Sequence, residues 1–280
     1  MKKNKSRRNF LKISGIALPG LMLGHRSYSF PSKSGSTLKL GIASYSFRNY
    51  DLQQTLVMTQ RLGIEHLALK SMHMPLELDD AAIRQAKKKI NEVGINLYGA
   101  GVIYMNNEDE VRNAFRYAKA GDLKVIIGVP KYELLDLTEE LIKTHDIKVA
   151  IHNHGPGDEV YPSPESVYEK IKNRDPRLGL CMDVGHTERI GLNPATEAKK
   201  YFDRLLDVHL KDVDQSNADG DTVEIGRGVI DIPGFLKVLK DRKYEGIISF
   251  EYEKDPDDIL PGISESIGYT RGVIDTQEGR

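Results

Sequence analysis

The stretch "VAIHNHGPG" places His152 and His154 two residues apart where an apolar run gives way to a Gly-Pro loop. Imidazoles at that spacing share one face of a strand, so both can look into the same site. Three later runs end in the same manner. "LGLCMDVGH" finishes in Asp183 with His186 just beyond, "LLDVHLKD" carries His209, Lys211 and Asp212, and "GIISFEYE" carries Glu251. An ionisable side chain in a strand buried on both faces is costly unless it is paired or bound to a metal. Four successive runs each delivering an imidazole or a carboxylate at similar depth therefore read as a donor set for one divalent ion. Mn²⁺, Co²⁺, Zn²⁺ and Fe²⁺ all suit such mixed ligands.

The elements that must position these groups alternate strictly. Eight apolar runs (38–47, 64–70, 95–105, 123–130, 148–155, 178–186, 205–212 and 246–253) are separated by segments such as "DDAAIRQAKKKINEVG" and "NEDEVRNAFRYAKAG". Those segments have acids early, bases late, apolar residues at helical spacing and a closing glycine, which predicts helices with their stop signals. Alternation of this kind implies parallel strands with crossover helices, and eight units in about 250 residues predict an α/β fold, a single-domain (β/α)8 TIM barrel. A doubly wound open sheet fits less well, because the first turn, "ASYSFRNYD", has no glycine-rich phosphate cradle. Gly99 and Gly101 in "YGAGV" likewise lack the third glycine and the strand-to-helix placement of a nucleotide fingerprint. In a barrel the chemistry belongs at the carboxyl ends of the strands, where the polar residues fall.

The first residues belong to no such unit. "SRRNFLK" followed by "ISGIALPGLMLG" has the build of a twin-arginine export signal, with small residues for cleavage at Ser27–Ser29. Residues 1–29 are thus expected to be a signal peptide and 36–280 the barrel, in a bacterial protein exported to the periplasm. The apolar stretch is too short to span a bilayer, and no cysteine adjoins it, so no stable membrane anchor is expected. The signal holds seven Lys or Arg and no acid, leaving 33 basic against 41 acidic side chains in the rest. That balance counts against nucleic acid as a partner. Cys181 is the only cysteine, so no intrachain disulfide is available, and it reads as a small core residue.

These pieces, above all "CMDVGH" (181–186), "VHLKD" (208–212), "IGRGVIDIPGFL" (225–236) and "ISFEYE" (248–253), resemble the xylose isomerase-like TIM barrels of sugar phosphate isomerase/epimerase type, a group that includes endonuclease IV-type phosphodiesterases. The resemblance covers Leu38 to Ile274. It implies that Asp183, His209 and Glu251 bind one divalent metal, that His152 occupies the slot of a fourth ligand that is usually Glu, and that His154 faces substrate. It also implies substrate contacts for His186 and for Arg227, whose glycine-flanked loop can reach over the site.

Epimerases of that family use two carboxylates on opposite faces of the substrate, and this chain keeps only Glu251. The implied reaction is isomerisation or epimerisation of a sugar or keto-sugar through proton abstraction beside a metal-polarised carbonyl. Its alternative is β-elimination from 3-keto-glycosides, the reaction of some lyases in the family. An endonuclease IV-like phosphodiesterase and a non-catalytic carbohydrate-binding barrel are the remaining readings. His73, in "KSMHMPL" after the second strand, points to the same rim as a substrate contact. Lys211 either neutralises an enediolate, as a catalytic group, or pairs with Asp212 or Asp183. The implied partner is a small-molecule carbohydrate, and the family resemblance allows a homodimer paired through the barrel rims.

Overall fold

The structure is a computed structural model that describes residues 38–280; the expected signal peptide and the expected domain boundary at 36 lie outside the described residues. Eight parallel strands close into a barrel: β1 (Lys39–Ala43), β2 (His66–Leu69), β3 (Asn96–Met105), β4 (Val125–Pro130), β5 (Lys148–His152), β6 (Leu178–Asp183), β7 (Leu205–Leu210) and β8 (Ile247–Phe250). Each strand pairs with its neighbours in chain order, and β8 closes the ring against β1. Each falls inside one of the apolar runs, so the α/β single-domain barrel stands as the sequence predicts.

Helices connect the strands on the outside: α1 (Leu52–Arg61), α2 (Asp80–Glu92), α3 (Glu108–Ala120), α4 (Leu135–His145), α5 (Pro164–Ile171), α6 (Val184–Arg189), α7 (Pro194–Lys200), α8 (Ile232–Asp241) and α9 (Ile259–Gln277). Their starts follow from capping chemistry. Asp79 and Asn107 accept the first free backbone N–H groups of α2 and α3, and Glu108, Asp109 and Glu110 place negative charge at the α3 N-terminus. One buried stripe of each, such as Ile83, Ala86 and Ile90 of α2, packs on the strands. No helix of the described residues is long and apolar enough to cross a membrane.

Every run is longer than the strand it contains, and at two of them the point of departure bears on the site. "LGLCMDVGH" leaves the sheet at Asp183 because that carboxylate accepts the His186 N–H at 2.7 Å and starts α6. "KVAIHNHG" leaves it at His152, so His154 sits in the loop and not on the strand. Beyond β7, residues Asp212–Val213 pair antiparallel with Thr222–Val223 in a short ribbon over the rim.

Candidate active site at the carboxyl ends of β5 to β8

Pairing sets the depth of each group. Asp183 lies in register with His209, His209 with Ser249, and His152 with Cys181. The result is a buried cluster of His152, Asp183, His209 and Glu251 in which one ligand atom from each lies within 4.8 Å of the others. His152 Nε2 is 3.1 Å from His209 Nδ1 and 3.4 Å from Asp183 Oδ2, while His209 Nδ1 is 3.2 Å from Glu251 Oε2. His152 Nδ1 and His209 Nε2 are buried without a hydrogen-bond partner among the described residues. Two imidazoles and two carboxylates converging with idle buried polar atoms are a donor set that fits one divalent ion.

Lys211 holds this set together. Its ammonium, buried to 3% exposure, lies 3.1 Å from Asp183 Oδ2, 3.0 Å from Glu251 Oε2 and 2.5 Å from Glu253 Oε1. Gly185 makes room for it, since a Cβ there would strike the Lys211 stem. Burial alone would raise both carboxylates, but His186, Lys211 and His152 hold Asp183 well below the usual range, and Lys211 and His209 do the same for Glu251. Burial opposes the charge on Lys211, and Asp183, Glu251 and Glu253 override it, so the ammonium stays protonated. Burial lowers His152 to about 4, leaving it neutral. For His209 burial acts downward too, yet Glu251, Asp207 and Asp183 raise it.

Beneath the cluster the barrel interior is polar but closed. Tyr98 Oη and Ser249 Oγ are 2.6 Å apart, and Cys181 Sγ lies 3.8 Å from Asp207 Oδ1. Burial pushes the Cys181 thiol well up and Asp207 up to about 7. Cys181 is thus the inert core residue that its sequence context predicts.

The other sequence-predicted residues separate into those the fold brings here and those it does not. His154 stacks on Tyr104 at 5.5 Å, takes part in a 3.0 Å hydrogen bond between its Nε2 and Tyr104 Oη, and its ring centroid is 4.5 Å from that of His152. Gly155, at φ +73°, lets the following loop pass against the backbone of His186, which answers why two imidazoles precede a Gly-Pro turn. His186 lies at the rim with Nε2 4.0 Å from Asp183 Oδ2.

His73 is a correction. It is 4% exposed, with Nδ1 2.9 Å from Ser44 Oγ and Nε2 3.1 Å from the Phe47 carbonyl, so both ring nitrogens are engaged and neither is offered to substrate. Arg227 is another. Its guanidinium, 64% exposed, pairs with Glu265 of α9 and makes no hydrogen bond or ion pair with the cluster. The reason is Asp212, whose carboxylate accepts the N–H groups of Val213, Gly226, Gly228 and Ile230 at 2.9 to 3.2 Å and folds the "GRG" loop onto itself. Asp212 is therefore not the partner of Lys211.

Sequence reasoning missed Glu253, Asn153 and Tyr104. Glu253 shares the parity of Glu251, which was the available signal. Asn153 carried none: its Oδ1 accepts the Asp183 N–H at 3.0 Å, a contact only the fold creates. A cleft of about 510 Å³ opens beside the cluster, lined by His186, Lys211 and Glu253 on the site side and by Arg189, Thr222 and Lys254 on the other.

A closed (β/α)8 barrel with a buried imidazole–carboxylate set at its strand ends defines the class, and comparison supplies the family. Residues 132–272, half the chain, match the model of the xylose isomerase-like TIM barrel family, and the chain belongs to that family. It is 24% identical over 242 residues to an inosose isomerase of Halalkalibacterium halodurans, an alignment covering 74% of this chain and 84% of that one. It is 30% identical to an inosose dehydratase of Clostridium tetani over 42% of this chain, and spans only 44% of that relative's length. Among solved structures, an uncharacterized protein from Parabacteroides distasonis is 28% identical with a TM-score of 0.67, over 84% of this chain and 99% of that one. IOLI protein with a bound zinc atom shares the fold at TM-score 0.73 and 18% identity, over 85% and 99% of the two chains. The two curated relatives are thus an isomerase and a dehydratase of inosose.

Proposed function

We propose that the chain is a divalent-metal-dependent enzyme that moves a proton at the carbon beside a carbonyl of a sugar or keto-sugar, as an isomerase or epimerase. The observation that carries this reading is the buried set of four donor residues at the carboxyl mouth of the barrel. His152, Asp183, His209 and Glu251 would hold the ion, with Mn²⁺, Co²⁺, Zn²⁺ and Fe²⁺ as its candidates. Such an ion, when bound, polarises the substrate carbonyl and offsets negative charge on its oxygen. Glu251, held ionised, takes the proton. Lys211 keeps Asp183 and Glu251 charged in a dry site and offers a fixed positive charge to an enediolate oxygen. His154 and His186, on the rim, contact the sugar hydroxyls.

Elimination from a keto-sugar is the second reading. It is favoured by His152 standing where a second carboxylate would be needed for two-carboxylate epimerisation, and by dehydratases among the relatives. The twin-arginine-type N-terminus supports export of the folded, metal-loaded protein to the periplasm.

The test is hydrogen exchange. The full chain loaded with Mn²⁺ is incubated in D₂O with inosose and with a ketohexose, and deuterium at the carbon beside the carbonyl is followed by NMR. Glu251-dependent incorporation supports the reading. Absence of exchange together with cleavage of an abasic-site oligonucleotide would replace it with the phosphodiesterase alternative.

A further inference from the structure

The cleft beside the cluster carries three cations in its lining, and two of them are already matched. Lys211 faces Asp183, Glu251 and Glu253, and Lys254 lies 2.9 and 3.1 Å from the two carboxylate oxygens of Glu224. Arg189 is the third. Among the described residues its guanidinium forms no ion pair; Nη2 donates to the Ala218 carbonyl at 2.6 Å, and Nε is buried without a hydrogen-bond partner. Of the carboxylates in the lining, Glu253 is held by Lys211, and Asp221 is exposed and makes no ion pair with Arg189. A half-buried guanidinium with an idle N–H and no counter-charge is costly to keep, because nothing in the fold offsets its desolvation.

Its place in the chain ties it to the donor set. Asp183 caps α6, His186 follows three residues later with Nε2 4.0 Å from Asp183 Oδ2, and Arg189 follows three after that as the last residue of the helix. Residues three apart are neighbours on a helix surface, about 4.5 Å along the axis, and both of these line the cleft. The cleft therefore runs from the Lys211 ammonium, which meets Glu251, past His186 to the guanidinium. The far end is held in place. Arg189 bonds Ala218 and Glu188 bonds Ser216, both in the loop that joins the two strands of the rim ribbon.

We propose that Arg189 is a specificity-determining residue that binds a carboxylate at the end of the substrate remote from the reacting carbonyl, so that the substrate class is an acidic keto-sugar. This inference rests on the reading of the site as a carbon-acid enzyme acting on sugars, and it names the substrate class of that site. A carboxylate brings one negative charge to the one unmatched positive charge of the cleft, and its paired oxygens suit the edge of a guanidinium. A phosphate dianion would bring a second charge for which no free cation remains, since Lys211 and Lys254 are committed to the protein's own carboxylates. The Ala218 contact fixes the arginine before the substrate arrives, which lowers the ordering cost of binding.

The experiment is calorimetric titration of the full Mn²⁺-loaded chain, Arg189→Gln and Arg189→Lys with three probes. These are D-fructose, D-fructuronate, which is the same ketose with a carboxylate in place of its last hydroxymethyl group, and D-fructose 6-phosphate. Metal content, Tm and deuterium uptake at the carbon beside the carbonyl are measured alongside. Wild type is expected to bind the acid about tenfold more tightly than fructose, or better, and more tightly than the phosphate. Arg189→Gln keeps an amide donor for Ala218 without the charge, and should bring acid and neutral ketose within about twofold of each other at unchanged metal content and Tm. Arg189→Lys keeps the charge without the planar fork and should retain part of the preference. A wild-type preference below about twofold, binding of neither ketose, or a preference that survives in Arg189→Gln overturns the proposal. Tighter binding of the phosphate than of the acid overturns it as well. Deuterium uptake into fructose without a preference for the acid leaves the functional reading intact, whereas an Arg189-dependent preference without uptake into any probe overturns that reading and leaves the carboxylate contact standing.

Discussion

The two halves of the barrel divide the site between them. The half from β5 to β8 supplies every residue of the donor cluster, together with Lys211, and buries all of them. The half from β1 to β4 supplies Tyr104, which meets His154 and is 52% exposed. Charge is concentrated and mutually compensated in one half and sparse in the other. The difference teaches that fixing a cation and contacting a substrate make opposite demands. The first needs groups whose desolvation is offset by one another, and the second needs groups left with capacity to spare.

The sharpest break of that comparison is removal of the cluster's anchors. Asp183→Asn or His209→Ala should abolish metal binding and reduce turnover by about 10³-fold or more, read by metal analysis beside a turnover assay. Next comes Lys211→Met, which leaves Asp183, Glu251 and Glu253 without their shared cation. The metal-free protein should lose about 3–5 kcal/mol in denaturant titration, and added divalent ion should recover much of it. A loss that ion does not recover would mean that the ammonium and the metal do not compensate the same charges.

Acid should probe the same half. Burial lowers both His152 and His186 to about 4, so the fold binds fewer protons than the unfolded chain, whose histidines titrate near 6.5. Their contribution is present above about 6.5 and lost as pH falls toward about 4, at up to about 1.4 kcal/mol per pH unit for each group. His209, raised in the fold, acts in the opposite sense: its contribution is present in acid and lost as pH rises through its folded value. His186→Asn should therefore flatten the wild-type dependence of Tm between about pH 4 and 6.5. An unchanged slope would show that His186 is not held neutral.

The facing half should answer more gently at Tyr104. Tyr104→Phe removes the hydroxyl that meets His154 and should raise KM about fivefold with metal content unchanged. The smallest effect belongs to Arg227→Ala, which should leave metal content and turnover unaltered because its partner is Glu265.

What was legible in the sequence follows the same division. His152, Asp183, His209 and Glu251 announce themselves because an ionisable residue at the end of an apolar run is costly to bury without a partner or an ion. The alternation of runs and capped helices was equally open, since Asp79, Asn107 and Gly121 mark boundaries by local chemistry. Tyr104 was not legible, because a tyrosine near the end of a strand is ordinary and only the fold brings its hydroxyl to His154. The surroundings of His73 and Arg227 were hidden for the converse reason. A loop histidine and a glycine-flanked arginine look free on paper, while Ser44 and Phe47, or Asp212 and Glu265, claim them from distant positions in the chain. Local signals carry residue type and register, but partners separated by tens of residues are set by topology.

The central claim is that the β5–β8 cluster is one mononuclear metal site with His152 as a member. Its most direct test is the metal content of the purified full chain beside His152→Ala and His209→Ala after dialysis against Mn²⁺ or Zn²⁺. The account predicts about one ion per wild-type chain, lost in both variants. Retention of a full complement by His152→Ala would contradict it.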